Sequence, residues 1–168
     1  MSPLRRLCLV GLAALSATAT AAPPERSNVF GDPFIAVTHG LPGCAVPAGP
    51  LLTHAQAIAE SHGRSQRGVS CYLDGRCRLS NSYLYDKEII PRVAISLTVD
   101  DRYTGTSVWA LGQRRIVWLM GCVASAEQAR EIVARVRRID DVEGVIDELS
   151  VGTNAAPRYE TAASAAAH

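Results

Sequence analysis

Arg130, Arg137 and Arg138 lie on a segment with helical periodicity, and the first two, seven residues apart, nearly eclipse one another along a helix. Guanidinium groups presented on one face suit phosphate, which they bind through paired N–H donors. These three are therefore candidates for contact with phospholipid head groups. The alternative is a solvated helix face whose arginines complement the C-terminal dipole, with Glu131 and Arg135 paired one turn apart. Other reactive residue types occur without the spacing that chemistry needs. His54, Glu60 and His62 sit near cysteines, but the histidines are eight apart and the chain has no C-x-x-C and no H-x-x-x-H. Ser61-His62, Ser70-Cys71 and Asp100-Asp101 offer nucleophiles and bases outside any recognisable catalytic pattern, and no phosphate loop, G-x-S-x-G or G-x-G-x-x-G is present. The residues lead us to expect no catalytic residue, no metal, no cofactor and no enzyme.

The start of the chain reads as a secretory signal over residues 1–22: Arg5 and Arg6, an apolar run from Leu7 to Leu15, then small residues at Ala19-Thr20-Ala21. The apolar run is short for a membrane span, so we expect an exported, periplasmic protein, soluble or peripheral to a membrane. The sequence has 17 basic and 16 acidic residues. Losing Arg5 and Arg6 leaves near balance, which argues against nucleic acid as a partner. Cys8 would leave with the signal, and Cys44, Cys71, Cys77 and Cys122 would remain, an even number that in an exported chain reads as a disulfide framework. A loop Leu73-Asp74-Gly75, with positive φ at Gly75, would set Cys71 opposite Cys77 across a hairpin. That pairing leaves Cys44 for Cys122.

The strongest periodicity runs from Ser107 to Val151, read as strand, turn, strand, helix, strand. Val117, Leu119, Gly121 and Val123 alternate along one strand face. Ser125 and Gln128 form a capping box for a helix with an apolar stripe at Ala129, Ile132, Val133, Val136 and Ile139. Upstream, Val29–Val37 reads as extended, and 39–50 as loop. A helix capped by Thr53 is expected to run to about Ser61, with Gly63 as its stop.

The pattern Val117-x-Leu119-x-Gly121-x-Val123, an Ala/Arg/Glu helix, then Val142-x-x-Val145-Ile146-x-x-Leu149-x-Val151 resembles the BON domain family over about residues 82–151. Its first helix corresponds to Asp86-Lys87-Glu88-Ile89 through Leu97. The chain departs from the family at Arg115, where the hairpin turn usually has glycine, and at Pro91, which removes a backbone donor and should kink the first helix or delay its start. The resemblance implies an α+β fold, a three-stranded sheet with two helices packed on one face. It also implies a periplasmic, envelope-associated module that contacts phospholipid surfaces. To this we add a disulfide-stapled N-terminal extension over 23–80, containing the short helix and the cysteine hairpin. The BON-like domain spans 81–152, and a disordered tail covers 153–168.

If Val108, Ala110, Val117, Leu119 and Val123 face the helices, then Trp109, Leu111, Trp118, Met120 and Cys122 face away. That second face is apolar enough to require a cover. Residues 30–80, held by Cys44–Cys122, would close it; otherwise it would be the interaction face of an envelope protein assembly. Arg64, Arg67, Arg76 and Arg78, with Tyr72, Tyr83 and Tyr85, form a possible rim for an anion or a protein partner. The expected partner is thus a phospholipid membrane surface or an envelope protein.

Overall fold

The computed structural model describes residues 24–167; the expected signal segment lies outside the described residues. The described chain runs β1 (Arg26–Ser27), β2 (Phe34–Ala36), β3 (Leu52–Thr53), α1 (His54–Leu73), α2 (Asp86–Thr98), β4 (Ser107–Gln113), β5 (Ile116–Val123), α3 (Ala126–Val136), β6 (Gly144–Val151) and α4 (Ala162–Ala165). The fold is α+β, but the sheet has four strands, not three. Its order is β2-β4-β5-β6, with β5 and β6 parallel and the other neighbours antiparallel. The added strand comes from the extension, where Phe34, Ile35 and Ala36 pair with Leu111, Ala110 and Trp109. Residues 23–80 are therefore partly built into the sheet. β1 and β3 form a separate two-stranded ribbon.

Alternation decides the faces as the sequence suggests. Val108, Ala110, Val117, Leu119 and Val123 are fully buried on one face, against Ile89, Val93 and Leu97 of α2 and Ile132 and Val136 of α3. Each of these last five comes from a single apolar stripe, which leaves one helix side buried and the other in solvent. α3 starts at Ser125, whose hydroxyl accepts the Gln128 N–H, while the Gln128 side-chain carbonyl accepts the Ala124 N–H. α2 runs on through Pro91, which is exposed. A turn at Ser82–Leu84 leads into it, so the proline does not delay its start.

Two expectations about the extension are corrected. α1 does not stop at Gly63; it spans 20 residues. Cys71 and Cys77 do bridge, yet not across a hairpin. Cys71 lies in the last turn of α1, which ends in a Schellman arrangement: Gly75 (φ 69°) donates to the Tyr72 carbonyl and Arg76 to the Cys71 carbonyl, both at 2.9 Å. The disulfide joins the helix end to the strand-free segment after it, with Cα atoms 5.4 Å apart. Cys44 and Cys122 form the second bridge, at a Cα separation of 5.8 Å.

The residues expected as a disordered tail fold back on the 44–51 loop. Glu160 accepts from the Ala48 N–H, Ala162 donates to the Val46 carbonyl, and Thr161 bridges Pro47. Arg26 pairs with the Glu160 carboxylate at 2.7 Å. Ser164 and Thr161 cap the short α4.

Candidate functional site

Most of the described arginines are held by carboxylates of the chain itself. Arg64 is buried, bidentate to Asp32, and lies between the rings of Phe30 and Tyr83, 4.0 and 4.3 Å from their centroids. Gln113 donates to the same carboxylate at 2.6 Å. This cluster joins the extension, α1 and the end of β4. Arg78 pairs with Glu88 and Asp141, Arg92 with the same two acids, Arg76 with Asp74, and Arg102 and Arg135 with Asp100. Asp100 is held down to about 2, chiefly by the Arg102 hydrogen bond. The rim of Arg64, Arg67, Arg76 and Arg78 is thus largely self-neutralised, with Arg67 the exception. Tyr85 is buried and Tyr72 exposed, so the three tyrosines do not share one surface.

Arg130, Arg137 and Arg138 are exposed, and among the described residues no carboxylate lies within 4 Å of any of them. They stand on the solvent side of α3 and just past its end. Arg135 instead turns toward α2, where its Nε donates to the Ser96 hydroxyl at 2.9 Å. Arg138 borders a shallow depression with Arg102, Tyr103, Glu131 and Ala134. Glu131 is drawn to Arg102 at 3.6 Å rather than to Arg135, so the expected pairing one turn along α3 is not formed. Glu127 is exposed on the same helix, which makes the outer surface mixed in sign with a basic C-terminal end. On α2, Ile95 and Val99 are more than half exposed.

The tryptophan face is closed by the chain. Trp109, Leu111 and Met120 are buried, packed with Phe34, Cys44, Trp118 and Tyr159. The Tyr159 hydroxyl donates to the Ala45 carbonyl at 2.7 Å. Of Trp109, Leu111, Trp118 and Met120, Trp118 alone is partly exposed. Trp109, Leu111 and Met120 are therefore not presented to a partner.

The remaining candidates are engaged or isolated. Ser61 and Ser70 donate to the Ile58 and Arg67 carbonyls of their own helix. His54 and His62 are exposed along α1. All four described cysteines are oxidised and cannot serve as thiolates. Two residues were not singled out by sequence. Asp86, buried at the start of α2, accepts the backbone N–H groups of Arg114 (2.6 Å) and Arg115 (2.8 Å). Burial pushes its pKa up to about 6 even against those two donors. Arg114 itself, like Arg67, has no carboxylate within 4 Å among the described residues. Its signal was the Arg114-Arg115 pair in a tight turn, where glycine or asparagine is the ordinary choice.

No described helix is long and apolar enough to cross a membrane. No family model matches the chain, and no curated protein or solved structure is significantly similar to it.

Proposed function

We propose that this is a non-enzymatic protein of the bacterial periplasm that docks reversibly on phospholipid surfaces through the solvent side of α3. The observation that carries the reading is three exposed arginines on one helix and its C-terminal end, Arg130, Arg137 and Arg138, none with a carboxylate within 4 Å among the described residues. An exposed guanidinium without an internal partner can take a phosphate bidentately. The succession α2-β4-β5-α3-β6, with both helices over one sheet face, agrees with what the BON resemblance implies. Two disulfides are compatible with an oxidising compartment.

Docking would place the arginines among head groups, with Ile95 and Val99 of α2 offering apolar contact at the acyl boundary. Each basic residue near an anionic surface contributes about 1 kcal/mol. Three therefore give weak attachment, and stable attachment needs a second contact or several copies. Replacing all three (Arg130→Gln, Arg137→Gln, Arg138→Gln) should weaken partitioning onto phosphatidylglycerol vesicles by roughly two orders of magnitude. Equal partitioning of the variant and the parent protein would overturn the assignment of these residues.

A further inference from the structure

The β4–β5 turn contains two adjacent arginines, both with positive φ (57° and 67°). Their side chains have opposite fates. Arg115 is built in: its Nε donates to the Asp141 carbonyl at 2.8 Å, its Nη1 lies 3.2 Å from Cys77 Sγ, and its guanidinium stands 5.0 Å from the Tyr85 ring centroid. Arg114 makes no such contact. Its backbone is fixed by Asp86, and its side chain lines the cleft between this turn and α1. Across the cleft stands Arg67 of α1, also without a carboxylate partner.

The cleft comprises two neighbouring depressions, about 160 and 280 Å³, which share Arg67, Arg114 and Ile116. The smaller has Ser70, Ser82 and Arg76 on its wall, with Cys71 and Ile116. The larger is walled by Tyr83, Trp118 and Gln113. Each has one acid at its border, and each leans to another arginine: Glu60 to Arg64, which also lines the larger depression, at 3.7 Å, and Glu143 to Arg115 at 3.9 Å. Arg67 and Arg114, neither with a carboxylate within 4 Å among the described residues, thus face a small depression that continues into one bounded by the Tyr83 and Trp118 rings. A left-handed backbone at a non-glycine residue disfavours folding slightly. Asparagine would hold the turn better, and among the described residues the Arg114 side chain makes no hydrogen bond or ion pair that offsets this.

We propose that this cleft is a binding site for a phosphorylated sugar, with the phosphate between Arg67 and Arg114 and the ring against Trp118 and Tyr83. A dianionic phosphate monoester matches the two free guanidinium groups and can accept from both. The polar face and edges of a sugar suit a wall that combines aromatic surface with the Gln113 amide. The same chemistry occurs in a soluble sugar phosphate and in the phosphorylated sugar head group of a glycolipid. The site is separate from the arginines of α3, and it stands or falls independently of docking through them.

The test uses the oxidised protein and the indole N–H resonances of its two tryptophans. Titration with glucose 1-phosphate should shift Trp118 saturably and leave Trp109 in place, because Trp109 is buried under the chain's own segments. Glucose and inorganic phosphate alone should bind more weakly. Arg67→Gln, on the exposed surface of α1, and Arg114→Asn, which suits the turn, should each weaken binding about tenfold or more while the fold is kept. If glucose 1-phosphate does not bind, vesicles doped with lipid A provide the second arm. Capture that is lost in the Arg67 and Arg114 variants and kept when Arg130, Arg137 and Arg138 are replaced by glutamine identifies the glycolipid source. Binding in neither arm, or binding indifferent to both Arg67 and Arg114, overturns the proposal.

Discussion

The two faces of the central sheet are closed by different means. On one face, Val108, Ala110, Val117, Leu119 and Val123 meet the apolar stripes of two amphipathic helices, and Tyr85, Tyr103 and the bridged Cys71 and Cys77 join the same cluster. On the other, Trp109, Leu111 and Met120 pack with Phe34 of the edge strand β2 and are covered by irregular pieces: the loop around Cys44 and Tyr159 from the C-terminal segment. A covalent bridge from Cys44 to Cys122 in β5 pins that cover down. Regular elements close a face through their own periodicity, whereas irregular ones need a cross-link and a few directed hydrogen bonds. The side whose helices point to solvent keeps the arginines of α3 unpaired, and the pinned cover leaves only Trp118 of its face partly open, beside Arg67 and Arg114.

The comparison can be broken most severely at the bridge. Replacing Cys44 and Cys122 with alanine opens a loop of 78 residues, for which chain entropy alone gives a loss of about 4 kcal/mol. Trp109 emission should move to longer wavelength, while the core under α2 and α3 stays protected from hydrogen exchange. Neighbouring residues on opposite faces sharpen the contrast next. Leu119→Ala should cost about 3 kcal/mol, and Met120→Ala about 1 kcal/mol less, because an irregular cover relaxes into the space more readily. Equal losses in denaturant melts would remove the distinction. Opening Cys71–Cys77, a span of 6 residues, should cost about 2 kcal/mol and leave both tryptophans unchanged.

One pH-dependent effect belongs to the helix-bearing side. Asp86 has its pKa raised to about 6 by burial, from an ordinary 3.8. Between about 4 and 6 the folded protein therefore holds a proton that the unfolded chain has released, and stability falls as pH rises through that window. Asp86→Ala should flatten this slope in thermal melts at a series of pH values; an undiminished slope would assign it elsewhere. The smallest effect lies on the other face, where Tyr159→Phe removes the hydrogen bond to Ala45 and should cost about 1 kcal/mol.

The same division explains what was legible in the sequence. Alternation through Ser107–Val123 and the stripe of α3 identify the helix-bearing side, and Ser125 marks the α3 start correctly. The partners of Cys44 and Cys71 were also reached, although the Cys71–Cys77 geometry was misread. A closing Gly75 serves a helix end as well as a hairpin, and only the length of α1 decides between them. That length was hidden because Gly63 reads as a stop. Gly68 lies within the same helix because a Cβ there would collide with Asn81 at 2.6 Å. The cover over Trp109 rests on contacts between residues more than a hundred positions apart, such as Tyr159 with Cys44 and Ala45, and no local period encodes them. Which arginines pair is equally non-local: Arg64 finds Asp32, and Arg78 finds Asp141, across long separations.

The most direct measurement is sedimentation of the purified, oxidised protein with phosphatidylglycerol and with phosphatidylcholine vesicles, at low and at high salt. The account predicts pelleting with the anionic vesicles only, lost as salt screens the arginines of α3. No pelleting at any salt, or pelleting with neutral vesicles that salt does not change, would contradict it.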